Sequence, residues 1–130
     1  MKNKLIGKGE FLYDYKYDIF TFKMKDRNYS KSIEFQNFAI DIDEEKFVTG
    51  IRVFDASKVF KIDKYVLKNI IKGHFKANVE NKIITITINF IGRQRNRLIN
   101  ILNRTQDYTQ QIITPVSQKI ADSTVECATA

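Results

Sequence analysis

The sequence predicts an α+β chain: an antiparallel β-meander, one short amphipathic helix, a second β-hairpin and an extended C-terminal tail. Three observations carry this expectation. Apolar and polar residues alternate over several short runs, the period of strands with one face in water. Residues 64–72 instead space their apolar side chains at helical intervals. Phenylalanine and tyrosine, 10 and 6 of 130 residues, stand among many isoleucines, a composition that suits strands.

Residues 10–24 (EFLYDYKYDIFTFKM) form a first pair of strands with a tight reversal near Tyr15–Asp18, and Phe20, Phe22 and Met24 share one face. Asp26-Arg27-Asn28 is a polar turn, after which Tyr29–Phe35 returns with Ile33 and Phe35 inward. The stretch Phe38–Phe60 is the most explicit: a strand with Phe38, Ile40 and Ile42 on one face, an acidic turn at Asp43–Lys46, a strand Val48–Phe54, and a helical turn opened by Asp55. Gly50 within it marks a bulge or a close backbone approach. Short connections arrange these runs as a meander of four or five strands.

Asp63 is a second N-cap. From it runs the helix 64–72, with Val66, Leu67, Ile70 and Ile71 on one side, Lys64, Lys68 and Lys72 on the other, and Gly73 closing it. Period two then resumes: Phe75, Ala77 and Val79, a turn at Asn81-Lys82, then Ile84, Ile86, Ile88 and Phe90. Residues 93–104 permit two readings. Alternating Arg93, Arg95 and Arg97 suit a strand that would complete a three-stranded unit, whereas Leu98, Ile99, Ile101 and Leu102 suit a helix. Residues 1–105 are therefore expected as a single β-rich domain and residues 106–130 as an extended or disordered tail that a partner would order.

The net charge of +7 is uneven. Residues 1–50 hold nine Lys/Arg against nine Asp/Glu, residues 51–110 twelve against four, and residues 111–130 one against two. The single cysteine, Cys127, excludes an internal disulfide framework and suits a reducing compartment. No run approaches the roughly 18 apolar residues of a membrane span, and none forms a signal peptide. A cytoplasmic protein is expected.

The pieces Tyr17-Asp18-Ile19-Phe20, Ile40-Asp41-Ile42-Asp43, Val48-Thr49-Gly50-Ile51 and Asp55-Ala56-Ser57 carry a family likeness. Across about residues 10–60 the chain resembles the small prokaryotic family catalogued as domain of unknown function 2283, in a longer archaeal-type version. Where that family usually has Asn before Ala-Ser, this chain has Asp55; both side chains can cap a helix. The resemblance implies a small β-rich domain and no established activity, and carries over no catalytic residue.

Candidate chemistry is sparse. Asp41, Asp43, Glu44 and Glu45 lack the spacing of a calcium loop and are expected as a solvated turn. Asp14 and Asp18 are expected as strand-end carboxylates, and His74 as a strand-surface histidine. One histidine and one cysteine cannot complete a zinc site, and GKGEF lacks the context of a phosphate loop. No catalytic residue, metal or cofactor is expected. The basic second half carries the functional signal: Lys61, Lys64, Lys68 and Lys72 on or near the helix, with Arg93, Arg95, Arg97 and Arg104 after it. Such a footprint binds a polyanion by counterion release. The expectation is a non-enzymatic RNA-associated factor, bound to the ribosome and acting as a homodimer in translation regulation or hibernation. The alternative is a protein-interaction module that pairs through a sheet edge.

Overall fold

Apolar–polar alternation runs through the strands of the computed structural model, which describes residues 3–93, 105–116, 120 and 122–129. In chain order these give β1 (Asn3–Asp14), β2 (Ile19–Met24), β3 (Tyr29–Glu34), β4 (Phe38–Asp43), β5 (Val48–Val53), α1 (Ala56–Phe60), α2 (Lys64–Lys68), β6 (Ile70–Glu80), β7 (Ile83–Arg93), β8 (Thr105–Pro115) and β9 (Ser123–Ala128). All the strands join one sheet in the order β3-β4-β5-β2-β1-β9-β6-β7-β8, curled into a half-barrel.

This overturns the expected architecture of a meander, one amphipathic helix, a hairpin and a tail. The first five strands are not a simple meander, because β2 pairs with β5, Phe22 opposite Ile51, rather than with β3. Burial explains the order. In β5 every residue but Arg52 is buried, which demands an interior position, whereas only Ile33 of β3 is buried, which suits an edge. The bulge anticipated at Gly50 is present as a register shift between β4 and β5; a Cβ on Gly50 would stand 3.2 Å from the Phe22 carbonyl oxygen.

The single helix over residues 64–72 is also corrected. Helix α2 stops after five residues. Asn69 leaves helical geometry at φ −116° and ψ 37°, and its side-chain amide donates to the Tyr65 carbonyl at 2.7 Å. Ile70 already belongs to β6, where β-branched residues are at home. Gly73 therefore closes no helix; it lies inside β6.

The C-terminal segment expected as a tail supplies two strands. β8 pairs antiparallel with β7, and β9 inserts between β1, to which it is parallel, and β6, to which it is antiparallel. Its small inward residues Ser123, Val125 and Cys127 are buried. Removing residues 111–130 would take a strand from the middle of the sheet, so they are not a dispensable appendage.

The curl is visible in the core. Phe22 on β2 stacks on Phe75 of β6 at 5.7 Å between ring centroids, and Phe20 lies 6.0 Å from Phe90 of β7, although β1 and β9 intervene in the sheet. Glycines make room. A Cβ on Gly9 would fall 2.7 Å from Phe22 Cε1, and one on Gly73 2.8 Å from Phe22 Cε2. We expect Gly73→Ala to destabilise the protein by about 1–3 kcal/mol through overpacking against a fully buried ring, measured as a lowered urea midpoint. Gly7→Ala should cost less, because its nearest neighbour is the adaptable Met24 side chain.

Candidate nucleic-acid interface

The turn between β1 and β2, residues Tyr15–Asp18, presents two tyrosines outward: Tyr15 is 53% exposed and Tyr17 63%. Its ends are held from below. The Tyr17 backbone N–H donates to Asp14 Oδ1 at 3.0 Å, and Asp18 adopts φ 57° with its carboxylate buried.

Asp18 does the work that the sequence suggested for Asp55. Asp55 sits in the left-handed region and makes no side-chain capping bond. The Ser57 backbone N–H and hydroxyl instead donate to Asp18 Oδ1 and Oδ2, at 3.0 and 2.6 Å, so a residue 39 positions earlier caps α1. Tyr13 adds a hydroxyl donor at 2.6 Å. Asp63 fulfils its expected role, accepting from the Tyr65 N–H at 2.7 Å to open α2.

Three of the expected binding lysines converge on this turn. Lys64 donates to the Tyr15 carbonyl at 3.3 Å and places its ammonium 5.1 Å from the Tyr15 ring centroid; Lys68, one helical turn on, lies 5.3 Å from the same ring. Lys61 ends α1 at φ 56° and lines a shallow groove with Tyr15, Ser57, Asp63 and Lys64. Lys16 extends the cluster, its ammonium 5.3 Å from the Tyr17 ring. Among the described residues no carboxylate lies within ion-pair distance of Lys16, Lys61, Lys64 or Lys68. Exposed Asp55 and Asp63 temper the local charge.

The remaining candidates fall elsewhere. Lys72 is exposed on β6, and Arg93 ends β7 with its backbone opposite Thr105. Arg95, Arg97 and Arg104 lie outside the described residues. The sequence did not single out the exposed tyrosines because they occupy a turn; the available signal was the Tyr15-Lys16-Tyr17 triplet, since aromatics are unusual where Gly, Asn and Ser prevail.

Other constellations resolve as structure. Asp43, expected as solvated, is buried: Arg27 holds its Oδ2 through Nε at 2.8 Å and a terminal nitrogen at 2.7 Å, and the N–H groups of Glu45 and Phe47 reach Oδ1 at 2.9 Å each. His74 and Cys127 face opposite sides of the sheet, His74 half-buried on the outer side and Cys127 in the core, where burial pushes its thiol up to about 12. They cannot form a nucleophilic pair. Among the described residues no cluster of three His, Cys, Asp or Glu could hold a metal, and no helix is long and apolar enough to cross a membrane.

A basic, aromatic-studded surface on a curled β-sheet is thus the class of molecule defined. The chain belongs to the family of the uncharacterized protein MJ0789 of Methanocaldococcus jannaschii, with which it shares 33% identity over 89 residues, 67% of this chain and 77% of that protein. It is also similar, at 28% identity over 88 residues, to a Methanosarcina mazei protein provisionally named hypoxanthine phosphoribosyltransferase; the match covers 68% of this chain and 72% of that protein. No family model matches the chain, so the likeness to the domain of unknown function 2283 rests on the short pieces quoted above. No solved structure matches it either.

Asp18 ties the turn to the helices and sets a pH dependence. Burial alone would raise its carboxyl, but the hydrogen bonds from Ser57 and Tyr13 outweigh that and hold it below the ordinary 3.8. A depressed carboxyl stabilises the fold fully above its unfolded value and loses that contribution as pH falls through the folded one. Asp18→Asn should therefore lose about 1–3 kcal/mol at neutral pH. In urea melts across pH, the gap to wild type should persist down to about pH 4 and close only under stronger acid.

Proposed function

We propose that the protein is a non-enzymatic, cytoplasmic RNA-associated factor, bound to the ribosome as a homodimer. The observation that supports this most is the gathering of the Lys64 and Lys68 ammoniums over the exposed Tyr15 ring, with Lys61 in the adjoining groove, in a cluster where among the described residues no carboxylate reaches ion-pair distance although Asp63 lines the same groove. Folding alone has no need of that arrangement. Lysines held over aromatic faces are partly ordered before a polyanion arrives, and phosphate contacts then release counterions. Arg93, Arg95, Arg97 and Arg104 add charge to the same half of the chain. The provisional name of the Methanosarcina mazei relative points instead to nucleotide chemistry; no arrangement among the described residues favours phosphoribosyl transfer, and we keep the binding reading.

Binding to structured RNA, followed by fluorescence anisotropy, should weaken steeply between low and moderate salt. Changing Lys61, Lys64 and Lys68 to Gln should weaken it similarly across RNA sequences and lower the salt slope by about one per lysine. Changing Arg93, Arg95 and Arg97 to Gln should act in the same direction. Salt-independent affinity would remove the basis of the reading.

The sheet edges favour dimerisation. β8 is an edge strand of eleven residues, Thr105–Pro115, with no lysine, and among the described residues it pairs only with β7. The opposite edge, β3, has six residues, a bulge between Tyr29 and Lys31, and the charge of Lys31. Edges of the second kind resist pairing and edges of the first kind invite it. Self-pairing through β8 would join two sheets about a twofold axis. Light scattering at micromolar concentration should give twice the chain mass, and replacing Gln111 by Lys should shift it toward monomer; a monomer mass for the unaltered protein would refute the dimer.

A further inference from the structure

Resting on the RNA reading, we infer that the β1–β2 turn is a base-stacking platform for single-stranded RNA: Tyr17 supplies the ring, and Lys64 and Lys68, gathered over Tyr15, take the flanking phosphates with Lys61. The Tyr17 ring is exposed where folding gains little from it. Tyr17 is the more exposed of the two, at 63%, on a turn whose ends are fixed by Asp14 and Asp18 rather than by the ring itself. A rigid turn that holds a solvent-facing aromatic costs little entropy when a base settles on it.

The lysines are arranged to suit that ligand. Lys64 and Lys68 stand one helical turn apart with both ammoniums over the Tyr15 ring, within 5.3 Å of its centroid, so Tyr15 gathers the positive charge on the turn that also carries the exposed Tyr17 ring. The Lys64 bond to the Tyr15 carbonyl ties the helix to the turn, which keeps ring and ammonium in register. Bases in a duplex are already stacked and offer no face, whereas single strands can place successive bases on aromatic side chains with little sequence preference. The platform therefore selects unpaired RNA and tolerates its sequence.

The test uses the full chain and fluorescently labelled strands of roughly twelve nucleotides: an unstructured RNA, its duplex, an abasic strand with the same number of phosphates, and the corresponding DNA. Tyr17→Ala should reduce single-strand affinity on the order of tenfold and Tyr17→Trp should restore it, with thermal melts unchanged because the side chain is exposed. The duplex and the abasic strand should bind intact protein no better than the single strand binds Tyr17→Ala. Equal binding of intact and abasic strands, with Tyr17→Ala silent and Lys64→Gln still weakening every RNA, would overturn stacking and leave the RNA reading standing. No binding to any RNA at low salt would remove both. Tighter binding to DNA than to RNA, or binding to phosphatidylserine vesicles in place of RNA, would overturn the assignment of the platform to RNA.

Discussion

The curl of the sheet depends on one contact: the Phe22 ring lies over two glycines on different strands. Gly9 on β1 and Gly73 on β6 flank β9 in the sheet, and a Cβ on either would fall within 2.8 Å of the ring. A ring from β2 can touch both only if the sheet bends round β9, whose inward side chain there is the small, buried Cys127. Once the bend exists, Phe22 meets Phe75 and Phe20 meets Phe90, so the phenylalanines of the first hairpin pack against those of the second. Each fully buried phenylalanine contributes about 1.5–3 kcal/mol, but only the glycine floor lets those contributions be realised together.

The aromatic–lysine surface inherits its geometry from this core. Phe60 meets Phe20 edge-on at 5.8 Å and so anchors α1, while Val66 seats α2 against Gly92 of β7, where a Cβ would fall 2.7 Å from Val66 Cγ1. Gln110 of β8 donates to the Phe60 carbonyl at 3.4 Å. The helices are each five residues long and would not persist alone. Their positions come from apolar anchors beneath and from Asp18 beside them. Lys61, Lys64 and Lys68 therefore project from backbone that the core has already placed, and the ordering cost of bringing them together is met in folding.

Local elements were legible in the sequence; the pairing of distant ones was not. The hairpin around Asn81-Lys82 and the reversal before Asp18 showed in period-two alternation, because their strands have one face in the core and one turned outward; the strand pair on either side of Asp43–Lys46 showed in the spacing of its apolar side chains, although β5 is buried at every residue but Arg52. Strand order escaped because short connections favour neighbours, whereas the burial demand of β5 sends it to β2. The strand β9 escaped because six residues with Ser, Val and Cys inward carry little hydrophobic weight; the need for it arises from Gly9 and Gly73, which only the assembled sheet brings together. The helix was overextended because Val66, Leu67, Ile70 and Ile71 satisfy helical spacing, and nothing local shows that Ile70 pairs with Gly92. At the candidate site, charge alone singled out Lys61, Lys64 and Lys68 in the sequence, whereas the placing of Lys64 and Lys68 over Tyr15 arises only when α2 is folded against its turn. Asp18 supplanted Asp55 for the same reason: a cap from 39 residues away has no local signature.

A half-barrel with β3 and β8 at its ends also explains why the lysines gather where they do. The inner face of a curled sheet needs a plug, and in this chain the plug is the connection between β5 and β6, whose α2 packs against β1 and β7. Such a segment must be apolar below and solvated above. Phe60, Val66 and Leu67 meet the first demand, and the second leaves Lys61 and Lys68 exposed and Lys64 half-buried. Solvation alone, however, is indifferent to where an ammonium points. Holding Lys64 and Lys68 over Tyr15, and Tyr15 at the tip of a turn braced by a buried carboxylate, is a further specification that closure of the sheet does not require. The plug is set by folding, whereas the aromatic–lysine cluster on its outer side is the feature that recognition of a partner would explain.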